Sequence, residues 1–241
     1  MLRWNELSRD PNDPKVMEIR RGAIARARSN ELVFDRVAHL CGLVAGRSVL
    51  DIGVVEHTRE ATESPQWLHG HLKRCAESCR GVDVIEAEVK QLNERGYDVI
   101  VADITQAPLC EKFDVIIGGE VLEHLDAPGM FMENCAAMLN RGGRLSITVP
   151  NPWFINAIWK GCFKRYTFVD SSDHVAWYDA STLFELGQRH GFELDRFTGI
   201  TVQHPNTLQA KLFFGLRPLL IYIGLSPQLF AKSIIYEFVR V

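Results

Sequence analysis

The chain of 241 residues has little excess charge and no long apolar run, and each shortage excludes a class of protein. A formal net charge of -3 gives no electrostatic footprint for nucleic acid, so we expect no nucleic-acid partner. The first residues contain no continuous apolar segment, which predicts a cytoplasmic protein without a secretory signal. The composition, 46% hydrophobic and 24% charged, is ordinary for one globular domain.

The cysteines are few and do not form a pattern typical of disulfide-rich proteins. Cys75 and Cys79 are one helical turn apart and could share a metal, but no third cysteine follows nearby, which also argues against an iron–sulfur cluster. Most of the set falls in apolar or helical patterns, where a free thiol behaves as a small hydrophobe. We therefore expect structural cysteines at positions 41, 75, 79, 110, 135 and 162.

Glycine is also scarce where a dinucleotide-binding loop would need it. In the run VLDIGVVEHT (49–58), Val49 and Leu50 predict a buried strand, Asp51 lies at its end, and Gly53 permits a sharp turn. A G-x-G-x-x-G fingerprint would require glycine at Val55 and Thr58, because a pyrophosphate needs bare backbone amides. The stretch therefore disfavours NAD and favours S-adenosylmethionine (SAM), which has no phosphate and carries positive charge.

Acidic residues follow several of the later apolar runs. Asp83, Asp103 and Glu120 each come after a short apolar segment, and helix-like segments separate these runs. Such alternation predicts an α/β fold with a parallel sheet. Because ligands of open α/β sheets bind beyond the carboxyl ends of the strands, we expect these carboxylates to converge on one crevice.

These motifs, taken together, resemble the class I SAM-dependent methyltransferases over roughly residues 47 to 200. The matching segments, in the family's order, are VLDIG, GVDVIEAEV, VVADIT, FDVIIGGEVLEHL and LNRGGRLSITVPNP. The resemblance implies a Rossmann-like, doubly wound, mostly parallel seven-stranded sheet with helices on both faces and an antiparallel last strand. One departure is that Val55 and His57 replace later glycines of the family's D-x-G-x-G-x-G motif.

The resemblance also assigns roles at the sheet edge. Asp51 and Gly53 would line the methionine and ribose side of SAM, and Asp83, followed by Val84, would accept both ribose hydroxyls. Asp103 would accept from the adenine amino group while Ile104 packs on the ring, and Glu120 would contact the pocket edge. The same acids could instead cap loops and helices, and Gly53 could serve only the turn.

Two glutamates and one histidine carry side chains of the kinds that bind metals. Glu120, Glu123 and His124 stand at i, i+3 and i+4 of a predicted helix and could hold a hard cation. The E-x-x-E-H pattern resembles ubiquinone-biosynthesis O-methyltransferases, where it is associated with a divalent metal. However, Leu122 and Leu125 favour a helix docked on the sheet, and ligand type alone is poor evidence. We predict no bound metal.

Residues 151–192 are rich in aromatic side chains and predict a lid over the acceptor. His174 lies in this segment just before Asp179, which is expected to cap a helix over 180–190. An imidazole there could take a proton from a hydroxyl acceptor during methyl transfer, so His174 is the predicted catalytic residue. A histidine bonded within the lid is the alternative, and the rival bases are His57, His69 and His71.

The chain is thus predicted to be one methyltransferase domain over 1–241, divided into a helical N-terminal cover (1–47), a SAM-binding core (48–150), the aromatic lid (151–192) and C-terminal strands with a helical insertion (193–241). The insertion, over residues 205–232, is too short and too interrupted by Arg217 and Pro218 to span a bilayer. Its apolar surface suggests a lipid-linked acceptor, peripheral membrane contact or a homodimer interface, with core packing as the plain alternative.

The predicted function is SAM-dependent methylation of a small-molecule acceptor, at a hydroxyl of an aromatic, glycan-like or lipid-linked compound. Few catalytic side chains are needed, because the sulfonium is already a good leaving group and the protein mainly aligns the reactants. Two other functional hypotheses stay open. The lost glycines suit a non-catalytic SAM-binding regulatory module, and an NAD-dependent oxidoreductase is a weaker option.

Overall fold

A computed structural model describes residues 4–55, 62–163, 171–201 and 208–241. One eight-stranded sheet organises them, in the order β1-β7-β8-β6-β5-β2-β3-β4. The strands are β1 (Arg28–Val33), β2 (Ser48–Ile52), β3 (Ser78–Asp83), β4 (Val99–Val101), β5 (Phe113–Gly119), β6 (Leu139–Pro150), β7 (Phe192–Ile200) and β8 (Ser233–Arg240).

Helices flank this sheet. They are α1 (Trp4–Leu7), α2 (Pro14–Ala27), α3 (Arg36–Val44), α4 (Leu68–Cys75), α5 (Glu86–Glu94), α6 (Pro128–Met138), α7 (Ile155–Phe163), α8 (Ala180–Arg189) and α9 (Leu208–Tyr222), with 3₁₀ turns at Leu122–His124 and Pro227–Phe230. None of the helices in the described residues combines the length and apolar character needed to cross a membrane.

The sheet has the direction pattern expected of a doubly wound fold. β2 pairs in parallel with β3 and β5, and β5 pairs in parallel with β6. β8 runs antiparallel between β6 and β7, which confirms the predicted antiparallel last strand. Strand order reverses between β2 and β5, so the carboxyl ends of these two strands open on the same crevice.

The core is built from the faces of the central strands. Leu50, Ile116, Ile147 and Phe238 are fully buried in a cluster that also includes Phe131 of α6. Buried apolar runs on both faces are typical of parallel strands covered by helices. This packing fixes the strand ends, and with them the polar residues that follow each strand.

Several local predictions need correction. Apolar residues at helical spacing over 15–45 predict helices that cover the sheet, but β1 (Arg28–Val33) lies between two helices and adds an eighth strand, parallel to β7. Asp126 precedes an apolar helical pattern and is predicted to cap that helix, yet α6 begins after Ala127, at Pro128. Gly142 and Gly143 predict the end of this helix, but it ends earlier, at Met138, because the chain passes directly into β6 at Leu139.

The C-terminal half follows its predictions more closely. Asp179 caps α8, its side chain accepting from the backbone N–H groups of Ser181 and Thr182 while Thr182 reaches back to the Asp179 backbone. The segment between β7 and β8 contains α9, with Pro218 inside it. Its exposed side includes Leu216, Leu219 and Tyr222.

Candidate active site

The candidate site is a cavity of about 530 Å³ at the carboxyl edge of β2, β3 and β5. The structure brings the predicted cofactor-binding residues together along its wall. The members of that set are Asp51, Gly53, Asp83, Val84, Asp103, Ile104 and Glu120.

Asp51 and Gly53 form the first wall. Asp51 is buried at the end of β2, and its Oδ2 lies 3.0 Å from Nδ1 of His69. Gly53 has a φ of +79°, and its N–H donates to the carbonyl of Val82 at 2.8 Å. A Cβ at Gly53 would lie 2.5 Å from Cγ2 of Val121, so both the backbone and the space require glycine here.

Asp83 ties the first turn to the end of β3. Its Oδ2 accepts from the N–H of Val55 at 2.8 Å, and its Oδ1 accepts from the N–H of Ile85 at 3.1 Å. A carboxylate has about four acceptor positions, so these two bonds leave capacity for a ligand hydroxyl. Asp83 therefore acts as a loop cap and also lines the cavity.

The next part of the wall presents apolar surface beside a polar turn. Val84 is 64% exposed and Ile104 is buried, and both line the cavity. Asp103 accepts from the backbone N–H and the hydroxyl of Thr105, at 2.8 and 2.7 Å. The hydroxyl bond is the main cause that lowers the pKa of Asp103 below its usual 3.8. An ionised acceptor thus lies beside an apolar slot.

Glu120 is held in an unusual backbone conformation. Its φ is +58°, which is strained for a residue with a side chain. Its Oε1 accepts from the hydroxyl of Ser233 at 2.9 Å and lies 4.0 Å from Nη1 of Arg36. Arg36 also lines the cavity and is the only lysine or arginine among the lining residues of the described chain. The sequence pattern gave no signal for this arginine.

The predicted helix with Glu120, Glu123 and His124 on one face does not form. The strained Glu120 ends β5, and a short 3₁₀ turn follows at Leu122–His124. Ligand atoms of Glu123, His124 and His174 instead lie within 4.8 Å of one another in the described structure. One carboxylate and two imidazoles suit a zinc-like cation better than magnesium. The predicted absence of a metal stays a prediction.

His174 lies behind the cavity wall. Its ring centroid is 4.7 Å from that of His124, which lines the cavity, and its buried Nδ1 has no hydrogen-bond partner within the part of the chain that the structure describes. Nδ1 of His124 lies 3.1 Å from Oδ2 of Asp173. The N–H of Val175 donates to the carbonyl of Glu123 at 2.9 Å, which docks this segment onto the 3₁₀ turn.

The other histidines named from the sequence differ in position. His69 lines the cavity and is fully buried, whereas His71 lies outside its wall and contacts the carbonyl of Pro65 and the side chain of Arg74. His57 lies outside the described residues, as do Tyr166 and Phe168 of the predicted lid. The described part of the lid exposes Trp153, Trp159 and Phe163.

Comparison with known proteins decides the family. A family profile described as a methyltransferase domain matches residues 25–196. The chain belongs to this methyltransferase family. Sequence relatives include a protein of Mycolicibacterium smegmatis named as a probable S-adenosylmethionine-dependent methyltransferase, 28% identical over 72% of this chain and 61% of that protein. A ubiquinone biosynthesis O-methyltransferase of Nitrobacter winogradskyi is 29% identical over 49% of this chain and 44% of its own length.

Solved structures share the methyltransferase fold. The magnesium protoporphyrin IX methyltransferase of Synechocystis PCC 6803, crystallised with S-adenosylhomocysteine (SAH), has a TM-score of 0.54 and 18% identity, covering 85% of this chain and 80% of that one. A SAM-dependent methyltransferase of Archaeoglobus fulgidus has a TM-score of 0.54 and 16% identity, covering 92% and 94%. The matched segment spans 61% and 44% of the two sequence relatives above.

Proposed function

We propose that this methyltransferase-family chain binds SAM in the cavity at the sheet edge and transfers its methyl group to a small-molecule hydroxyl. The observation that carries the proposal is the convergence of Asp51, Asp83 and Asp103 on one cavity beside a glycine turn. Acids suit a cofactor with ribose hydroxyls and cationic groups, whereas a pyrophosphate would need bare amides.

The cofactor is proposed to lie along the wall from β2 to β4. Asp51 and Gly53 would meet the methionine end, Asp83 the ribose, and Asp103 the adenine amino group. Exposed Val84 and buried Ile104 would pack on the adenine ring. The ring would then cover the apolar surface of Val84, which is otherwise open to water. Arg36 would pair with the methionine carboxylate, since a guanidinium matches a carboxylate well.

The chemistry asks little of the side chains. In the transfer, the acceptor oxygen forms a bond to the methyl carbon as the carbon–sulfur bond breaks, leaving SAH and a proton. We propose His174 as the acceptor of that proton, reached by way of His124, because His124 lines the cavity and His174 contacts it from behind. The names of the ubiquinone biosynthesis relatives support a hydroxyl as the acceptor class.

The exposed apolar side chains of α9 support an apolar acceptor or a lipid surface. Tyr222 is 88% exposed, Leu216 and Leu219 are also exposed on this helix, and Ile223 is exposed directly after it. A liposome flotation assay tests the membrane version, which is rejected if the protein stays wholly in the soluble fraction. The same face could pair with a second copy, which sedimentation at increasing concentration would detect.

Titration calorimetry with SAH and, separately, with NADH tests the cofactor. We expect saturable SAH binding at a ratio of one per chain and none with NADH, and the reverse would reject the proposal. An acceptor screen with methyl-labelled SAM then tests the transfer. If SAH binds but no hydroxyl compound is methylated, the non-catalytic SAM-binding module is favoured instead.

A further inference from the structure

Two side chains of one segment contact the turn after β2, one on each side of Gly53. Nε1 of Trp67 donates to the carbonyl of Val54 at 2.8 Å, and Nδ1 of His69 lies 3.0 Å from Oδ2 of Asp51. Trp67 and His69 stand at the start of α4, and both line the cavity. The turn that lacks the usual glycines is thus braced by an indole and an imidazole.

The His69–Asp51 contact is deeply buried. The side chain of His69 is 0% exposed and that of Asp51 is 5% exposed. Oδ2 of the carboxylate faces Nδ1, which fits an imidazole that donates its Nδ1–H to Asp51, and no hydrogen-bond partner of Nε2 lies among the described residues. The hydrogen bond from His69 therefore fixes the orientation of the Asp51 carboxylate. Loss of this bond would leave a buried carboxylate oxygen without its donor, which costs folding free energy.

The surroundings leave room for the ring in this position. A Cβ on Gly81 of β3 would lie 3.0 Å from Cε1 of His69, so glycine at this place in the strand makes space for the imidazole. Trp67 and Tyr97 pack against His69 at tilted angles, with ring centroids 5.3 and 5.8 Å away. Burial, followed by the nearby charge of Asp51, raises the pKa of the Cys79 thiol, which keeps that neighbour neutral.

We propose that His69 is a positioning residue, which orients Asp51 so that the carboxylate meets the ammonium group of the cofactor's methionine end. This proposal rests on the proposed function, because it requires SAM in the cavity. His69 itself need not touch the cofactor: its Nδ1 holds one oxygen of Asp51, and the carboxylate lies on the cavity wall. The role proposed above for Asp51 thus depends on His69, which holds the carboxylate in place.

The test compares two ligands that differ only at the methionine end. SAH carries the amino acid, and 5′-methylthioadenosine has a methyl group in its place. We expect His69→Leu to weaken SAH binding by about tenfold, the effect of losing one hydrogen bond to a charged group, and to leave methylthioadenosine binding unchanged. His69→Asn keeps an N–H near the Nδ1 position and should restore most of the SAH affinity.

His71→Leu is the matched control, because His71 lies on the same helix but outside the cavity wall. It should bind both ligands as the parent protein does, and all variants are checked for cooperative thermal unfolding. The proposal is overturned if His69→Leu weakens both ligands equally, which indicates a purely structural role, or if His69→Asn is as weak as His69→Leu. Failure of the unmodified protein to bind either ligand would instead reject the proposed function.

Discussion

The carboxylate of Asp83 accepts a hydrogen bond from the backbone N–H of Val55, with 2.8 Å between Oδ2 and the nitrogen. Val55 stands where the family usually has a glycine. In this chain its backbone N–H is bonded to Asp83, the last residue of the next strand, β3. The end of β3 therefore fixes the shape of the turn after β2. One residue serves the loop and, in our proposal, the ribose.

Substitution of Asp83 separates these two roles. Asp83→Asn keeps an oxygen acceptor of similar shape but loses the charge, and we expect SAH affinity to fall by about tenfold to a hundredfold, as for a hydrogen bond to a charged group. Asp83→Ala should also lower the thermal midpoint, since the N–H of Val55 loses its partner. Calorimetry and thermal unfolding measure the two effects. Unchanged SAH affinity in Asp83→Ala would reject the ribose role.

Gly53 gives a second prediction, with a double variant as its control. Gly53→Ala places a side chain at φ +79° and 2.5 Å from Cγ2 of Val121. We expect a loss of about 2–4 kcal/mol in unfolding free energy from strain and overpacking together. Adding Val121→Ala should recover the overpacking part but not the backbone strain. If the double variant is no more stable than Gly53→Ala, the contact with Val121 is not what limits the site.

The sequence could predict the strands and the acids that follow them because each is a local pattern. Asp51, Asp83 and Asp103 come directly after apolar runs, and parallel pairing places such residues at one edge. Asp179 could be predicted as a helix cap for the same local reason.

Other features depend on residues distant in the chain. β1 (Arg28–Val33) is an edge strand with few buried positions, and its pairing with β7 is not visible in its own pattern. Glu120 breaks the predicted helix by adopting a positive φ, which residue type does not suggest. His69 and Arg36 line the cavity because the fold brings together segments that are distant in the chain. The position of His69 at the start of a helix, after Trp67, is the sequence signal that could have pointed to it.

The strain at Glu120 can be measured by comparing two substitutions. Glu120→Ala and Glu120→Gly both remove the contact with Ser233, but only glycine adopts φ +58° without cost. We expect Glu120→Gly to be more stable than Glu120→Ala by about 1 kcal/mol in urea unfolding. Both should weaken SAH binding to the same extent if the carboxylate contacts the cofactor. Equal stability of the two variants would argue against backbone strain.

Asp114 predicts a pH dependence of stability. Hydrogen bonds from Asn140 and then Ser48 lower the pKa of this carboxyl below its usual 3.8. Because the folded pKa is depressed, the stabilisation is complete above pH 3.8 and is lost as the pH falls through the lower, folded value. Asp114→Asn should cost about 0.5–1 kcal/mol at neutral pH, allowing for partial exposure.

The difference between the parent protein and Asp114→Asn should narrow in urea unfolding as the pH drops below 4. Asp98→Asn is the control for the removal of an exposed carboxylate, since Asp98 is an exposed partner of Arg80. A difference that stays constant with pH would show that the charge of Asp114 is not involved.

His174 and the adjacent ligand atoms lead to a final prediction. If His174 receives the acceptor's proton, His174→Gln should lower kcat by about a hundredfold or more while SAH affinity stays unchanged, because the residue lies behind the wall. His124→Gln tests the path between them and should also lower kcat. Both effects should shrink at high pH, where hydroxide and the ionised acceptor replace the base.

Chelation with EDTA should leave kcat unchanged, since the sulfonium chemistry needs no cation. Stoichiometric zinc in the purified protein, lost together with activity in both His174→Gln and Glu123→Gln, would show instead that the cluster is a metal site.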